Sequence, residues 1–265
     1  MERNPEASPA VELQHLSYLL NGTALLDGVS LRVGRGEIVG IMGRSGTGKT
    51  TLLRLIMGLL RPTGGRILVN GRDIVGLDGR ELDAVRADMG MVFQGAALFD
   101  SMTVAENVAF GLIEHRRLHP RQVAGRVREL LEMVDMSGTE QLLPAQLSGG
   151  MAKRVGIARA LAMEPSIMLY DEPTAGLDPI SAAAIDALIL RLGRQFRVST
   201  LIVSHDVASL RRVVNRAALL HAGAFLALGQ MSDLEASADP AVRQFLSGRA
   251  EGPMTEGAGR PRGGG

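Results

Sequence analysis

The sequence predicts an α/β fold with a parallel sheet at its centre, and three observations predict it. An apolar run over 38–42 is followed by the glycine-rich stretch GRSGTGKT (43–50) and then by TTLLRLIMGLL, whose apolar spacing suits a helix. Two later segments, SIMLYDEP (166–173) and VSTLIVSHD (198–206), each place an apolar run ahead of polar groups, as strands buried on both faces do. Helical spacing from about 180 to 195 separates them, and such β-α-β alternation argues for parallel strands with ligands at their carboxyl ends.

Taken in order, the 265 residues, 46% of them hydrophobic, suffice for one large domain or two small ones. Residues 1–10, polar with two prolines, read as a flexible leader. VELQHL (11–16) and VSLRV (29–33) alternate as half-buried strands joined around Asn21-Gly22, a hairpin dipeptide. RPTGGRILVNGRDI has turn residues on both sides of the apolar segment 67–69 and predicts another short strand pair. A short helix is expected over 80–86 and a buried strand over MGMVFQ (89–94). Mostly helix should follow from about 103 to 163: Thr103 with Glu106 fits a capping box, and 121–134 carries an apolar stripe at Val123, Val127, Leu130, Leu131 and Val134. The last helix of this region has Ser148 as its N-cap and is stopped by Pro165. AALLHAG and AFLALG (217–229) predict a closing hairpin, helices are expected near 231–247, and the glycine-rich 249–265 reads as a disordered tail.

Composition narrows the function classes. A formal net charge of +1 and 3% aromatic residues supply neither a basic footprint nor a stacking platform, so no nucleic-acid partner is expected. The absence of cysteine removes disulfides, thiolate chemistry and cysteine-ligated metals, and fits the reducing cytoplasm. The N-terminal residues lack the apolar core of a signal peptide and no run approaches the roughly 20 apolar residues of a spanning helix, so the chain itself is expected to be soluble. Only Lys49 and Lys153 are lysines, against 27 arginines, so Lys49 stands out as a point charge kept where one is needed.

The chemistry lies in four stretches. Gly43, Gly48, Lys49 and Thr50 fill the spacing G-x-x-x-x-G-K-[ST] between a strand and a helix, with Gly46 as a further turn position. Glycines let successive backbone N–H groups face one phosphate, the new helix offers its positive end, Lys49 adds a compact charge and Thr50 a hydroxyl for a magnesium ion. Asp171 and Glu172 end an apolar strand, where the first can hold a metal and the second can orient an attacking water, helped by Gln94 and His205. Ser148, Gly149 and Gly150 bring bare backbone and a hydroxyl to another helix start. Read from the residues alone, this second loop either serves a nucleotide held mainly by another subunit or is a plain helix cap.

Over about residues 11–230 this set of motifs, in this order and spacing, resembles the ABC ATPases. GRSGTGKT resembles the Walker A loop, VFQ ending at Gln94 the Q-loop, LSGGM the signature, IMLYDEP the Walker B strand, AGLD (175–178) the D-loop and VSHD the switch histidine, His205. The resemblance implies one ATPase domain over 11–248: a P-loop NTPase (RecA-like) core with an ABC-type antiparallel β subdomain and an inserted α-helical subdomain at about 95–163. It implies two ATP molecules held head to tail between two copies, each touched by Walker A residues of one (Gly43, Arg44, Ser45, Gly46, Thr47, Gly48, Lys49, Thr50, Thr51) and by Ser148, Gly149 and Gly150 of the other. Asp178 would line the shared interface. Glu172, His205, Gln94 and Lys49 are the expected catalytic residues, and Thr50, Gln94 and Asp171 the Mg2+ residues. The family stacks an aromatic on adenine. Tyr18 is the residue named for that role, although it stands about two positions from the family's place, where Leu20 sits, and it reads equally well as a strand core residue.

LSGGM, with Met151 where many relatives have glutamine, and QGAALFDSMTVAENVAFGL are similar to the ATPases of Mla-type and other MCE-associated lipid transporters. That similarity implies a membrane permease, an MCE substrate-binding protein and a STAS-domain subunit as partners, phospholipid or a related lipid as cargo, and a peripheral place on the cytoplasmic face of the inner membrane. A soluble ABC ATPase serving cofactor assembly, DNA repair or translation would use the same engine. Glu172 argues against a scaffold that hardly hydrolyses.

Overall fold

The computed structural model describes residues 8–115 and 119–255; the expected leader over 1–7 and tail beyond 255 lie outside the described residues. Strands β1 (Val11–Leu20) and β2 (Thr23–Val33) run past the expected 11–16 and 29–33 to a turn in which Asn21 and Gly22 have φ of 51° and 78°, the left-handed pair this dipeptide favours. β3 (Ile38–Met42) leaves for a second sheet and feeds α1 (Lys49–Ile56), and β4 (Gly64–Val69) and β5 (Arg72–Asp73) complete an antiparallel sheet of order β2-β1-β4-β5.

The second sheet is built from the continuous apolar runs. After α2 (Gly79–Arg86) come β6 (Met89–Val92), the helices α3 (Val104–Glu114), α4 (Pro120–Met133) and α5 (Gly149–Leu161), then β7 (Ile167–Asp171), α6 (Pro179–Phe196), β8 (Ser199–Ser204), α7 (Val207–Val213) and β9 (Arg216–His221). The order is β10-β9-β3-β8-β7-β6, parallel except for β10 (Ala224–Gln230), the antiparallel edge that closes the expected hairpin; α8 (Met231–Glu235) and α9 (Pro240–Ser247) follow it. Every residue of β6, β7 and β8 is buried, which requires cover on both faces. Alternation of side chains divides that cover into two cores: Ile167, Leu169, Leu201 and Val203 face α1 and the antiparallel sheet, while Met168, Tyr170 and Ile202 face the helices.

In the helical part, Val123, Val127, Leu130, Leu131 and Val134 are all buried, as their spacing requires. Asn107, fully buried on α3, accepts from Phe99 N–H at 2.8 Å and donates to the Phe99 carbonyl at 3.1 Å, pinning the loop ahead of the helix. The capping box forms, with Glu106 N–H donating to Thr103 Oγ1 and Thr103 N–H to Glu106 Oε2 at 2.7 Å.

Two ends depart from expectation. Ala10, assigned to the leader, is buried and donates its N–H to the Val33 carbonyl at 2.8 Å, extending the sheet edge. Residues 249–255, assigned to the disordered tail, fold back: Met254 is buried, its N–H donates to Gln244 Oε1 at 2.8 Å, and its carbonyl accepts from Arg44 Nη1 at 2.9 Å. Gln244, a buried amide on α9, supplies the bonds that a glycine-rich segment cannot make for itself.

Replacing Thr103 by alanine removes one half of the capping box and is expected to cost about 1 kcal/mol. The measurement is a lowered denaturant midpoint with an unchanged slope, and nucleotide affinity should stay as it was.

Candidate nucleotide site

Local sequence dictates the loop between β3 and α1. Gly48, the residue before the helix, has φ 101°, which a side chain would oppose, and α1 opens with N–H groups that have no partner inside the helix. At Gly43 the constraint is space: a Cβ there would lie 2.5 Å from the Leu220 carbonyl oxygen and 2.9 Å from Thr47 Oγ1. The loop is thus pressed against β9, and only bare backbone fits. Lys49 turns back over it, donating to the carbonyls of Gly43 at 2.8 Å and Arg44 at 3.1 Å, and is 6% exposed.

The strand ends bring the acids to this loop. Asp171, the last residue of β7, accepts from the Thr50 hydroxyl at 2.9 Å; burial pushes its carboxyl above the usual carboxylate range, and the Thr50 bond opposes that shift. Glu172 follows with φ 49°, a left-handed backbone that non-glycine residues rarely adopt. Its Oε1 lies 3.5 Å from Lys49 Nζ, and its Oε2 accepts from Ser204 Oγ at 3.1 Å and from His205 N–H at 3.2 Å. His205 Nδ1 stands 2.9 Å from the same oxygen, with its side chain half exposed at the end of β8.

A cleft of about 360 Å³ opens over this cluster. It is lined by Ser45, Gly46, Gly48, Lys49, Thr50 and Thr51 of the loop and by Gln94, Glu172 and His205. Gly43 and Asp171 do not line it but accept from the lining residues Lys49 and Thr50, Thr47 Oγ1 donates to the Arg44 carbonyl at 2.9 Å, and Arg44 itself is turned to Met254. Tyr18 is a correction: it packs against the core beneath the antiparallel sheet and is absent from the lining, where Leu20 and Leu25 stand. β1 carries register shifts on both sides of Tyr18, so plain alternation does not give its facing.

Ser148, Gly149, Gly150 and Asp178 do not line the cleft of their own chain. Ser148 caps α5 by accepting from Met151 N–H at 3.3 Å, and Asp178 caps α6 by accepting from the N–H groups of Ile180 and Ser181 at 2.9 and 3.0 Å. The two caps adjoin, since a Cβ on Gly149 would meet Leu177 Cδ2 at 3.3 Å.

The donors suit a magnesium ion. Thr50 and Asp171 offer a hydroxyl and a carboxylate, both hard oxygens, already in contact. Among the described residues no group of three or more His, Cys, Asp and Glu side chains could hold a metal unaided, so an ion here needs phosphate oxygens and water to complete its shell. Gln94 reaches the cleft from the β6 edge.

Sequence reasoning missed Lys153, whose buried Nζ donates to the carbonyls of Gln94 and Glu172, the latter at 3.3 Å. Its signal was present, because it is the only lysine besides Lys49. Also missed was Asp186, buried on α6, which accepts from Ser209 Oγ at 2.6 Å and pairs with Arg212 at 2.7 Å; Thr174, just after Glu172, adjoins Ser209 at 3.5 Å.

A family model for the ABC transporter matches residues 26–175. The chain is 42% identical over 244 residues to the intermembrane phospholipid transport system ATP-binding protein MlaF of Escherichia coli (strain K12), covering 92% of this chain and 91% of that protein. It is 39% identical over 245 residues to the probable ribonucleotide transport ATP-binding protein mkl of Mycobacterium leprae (strain TN), covering 92% and 71%. Among solved structures it resembles the dimeric post-hydrolysis state of the ATP-binding cassette MJ0796 bound to ADP and Pi, with a TM-score of 0.76 and 34% identity over 83% of this chain and 98% of that one.

Gly43→Ala places its methyl against the Leu220 carbonyl and should displace the loop, weakening nucleotide binding about tenfold. Titration with a fluorescent ATP analogue measures this, and circular dichroism checks that the fold is kept.

Proposed function

The chain belongs to the ABC transporter family and is its ATP-hydrolysing, ATP-binding subunit, and from that premise we propose that it powers lipid transport, with phospholipid as the cargo. Likeness to MlaF over nearly the whole of both chains carries the cargo assignment. Likeness to mkl favours a second reading, a non-lipid cargo driven by the same motor. A soluble family member without a permease is the remaining alternative.

The convergence of Lys49, Glu172 and His205 in one cleft supports the catalytic roles. The loop amides and Lys49 bind the phosphates of ATP. Thr50 and Asp171, with Gln94, are the residues that would hold Mg2+, which when bound supplies positive charge against the phosphate oxygens. Lys49, on taking a phosphate oxygen as partner, gives up Glu172 Oε1 and leaves that oxygen to accept a hydrogen bond from the attacking water. His205 keeps the other carboxylate oxygen fixed and steadies the charge that develops. Adenine packs on Leu20 and Leu25 in place of an aromatic ring.

Two further surfaces support an assembly. Ser148 and Gly149 are exposed, and Ile180, beside Asp178, is 83% exposed, as suits contact with a second copy that completes each nucleotide site. Phe93 in the Q-loop, Phe99 after it and Phe110 and Ile113 on α3 are exposed, and the Phe99 and Phe110 rings lie 4.7 Å apart, an apolar pair suited to contact with a permease. Among the described residues no helix is long and apolar enough to cross a membrane, so attachment at the cytoplasmic face would run through that permease. An MCE substrate-binding protein and a STAS-domain subunit complete the proposed complex.

Lys49→Ala should weaken ATP binding about tenfold to a hundredfold, the loss of a charge-assisted contact. Glu172→Gln should keep binding and lower kcat by about 10² to 10⁴ while trapping a dimer, read by steady-state hydrolysis and size-exclusion chromatography. Wild-type turnover by the glutamine variant rules out the role given to Glu172. For the cargo, co-purification from detergent-solubilised membranes should yield a permease and an MCE protein carrying phospholipid; recovery without a permease favours the soluble alternative.

A further inference from the structure

Lys153 lies one turn into α5, 5% exposed, beneath the cleft and outside its lining. A buried ammonium is expensive to desolvate, and an apolar side chain of similar length would pack there at less cost. Its hydrogen bonds go to backbone, the carbonyls of Gln94 and Glu172. Those carbonyls belong to the two segments whose side chains enter the cleft from β6 and β7.

The bond to Glu172 meets a specific need. At φ 49° this residue holds a strained backbone, which persists only where its surroundings fix it. Its N–H is tied to the Val203 carbonyl at 2.9 Å, while its own carbonyl accepts from Ala175 N–H at 3.2 Å and from Lys153. The Q-loop is similar: Ala96 and Ala97 have φ of 59° and 48°, and their carbonyls accept from Arg159 at 2.8 and 2.7 Å. Gly156 lets Ala96 approach, since a Cβ there would lie 3.3 Å from Ala96 Cβ. Residues 153, 156 and 159 form one face of α5, so the helix that begins at Ser148 grips the Q-loop at three successive places and Glu172 at one.

We propose that Lys153 is a positioning residue for hydrolysis, its ammonium fixing the Glu172 and Gln94 backbones relative to one another so that the Glu172 carboxylate meets the attacking water. This rests on the reading of Glu172 as the residue that polarises that water. Lys153 acts through the two carbonyls and does not touch the nucleotide. Because α5 also carries the signature at its start, a shift of that helix moves Lys153 and the aim of Glu172 together.

The test uses the purified 265-residue chain, with steady-state ATP hydrolysis and titration with a fluorescent ATP analogue. Lys153→Met should lower kcat roughly tenfold to a hundredfold, with analogue affinity within about twofold of the wild type, the split expected when geometry rather than binding is lost. Lys153→Arg, which keeps charge and donors, should recover most of the turnover. Combined with Glu172→Gln, Lys153→Met should add no further loss, because both changes act on one group. Wild-type turnover by Lys153→Met beside a stalled Glu172→Gln overturns the proposal and leaves the Glu172 reading intact. An equal further loss on the Glu172→Gln background, or affinity falling in step with kcat, also overturns it. Should Lys153→Met and Lys153→Arg both fail to fold, the residue belongs to core packing and the proposal falls. Wild-type turnover by Glu172→Gln alone removes the reading beneath it, a different result from any of these.

Discussion

The parallel register of β3, β8 and β7 is the constraint on which the site depends. Met42 stands opposite Ser204, and Asp171 opposite Val203, so the three strands end at the same edge of the sheet. The next residues along each strand are the glycine loop, Glu172 and His205, and they converge because the strands stop together. A slip of one residue would exchange the two faces of a strand, sending Leu169 toward the helices and withdrawing Asp171 from Thr50. Close packing on both faces forbids that slip, so the helical core and the core beneath the antiparallel sheet jointly set the geometry of the acids.

What the sequence made legible was whatever depends on short-range pattern. Strands buried on both faces show as unbroken apolar runs, the hairpin shows as Asn21-Gly22, and the α3 cap shows as Thr103 with Glu106. The lining of the cleft was legible for the same reason, because glycine, lysine and threonine at fixed offsets after a strand have few other uses. Tyr18 was offered for adenine stacking through the family resemblance alone, and with irregular pairing in β1 its facing could not be checked by alternation. The segment after 248 was misread because composition describes only what a segment does for itself, and Gln244 and Arg44 bind it from elsewhere. Lys153 was counted but given no role, since a side chain bonded to distant carbonyls leaves no spacing to detect.

Buried polar groups cluster where the chain turns at the sheet edge. Asp186, on α6, holds Ser209 and Arg212 of α7, and Ser209 adjoins Thr174 in the loop after Glu172. Burial raises the Asp186 carboxyl above its ordinary range, and the bonds from Ser209 and Arg212 oppose that shift. Thus α7, which follows His205, and the loop that follows Glu172 share one anchor. These bonded polar groups confer a specific arrangement on helices that apolar packing alone would hold less uniquely.

The distribution of the two cation types has a practical consequence. Arginine provides 27 of the 29 basic side chains, whereas Lys49 and Lys153, 6% and 5% exposed, are both inside. Guanidinium groups stay charged and are poor nucleophiles at neutral pH, so the outer surface offers acylating and carbamylating reagents no lysine amine among the described residues. Both such amines lie within reach of the Glu172 backbone or carboxylate. Covalent labelling of Lys49 is therefore a gauge of access to the nucleotide cleft, and labelling of Lys153, which does not line it, a gauge of looser packing around α5.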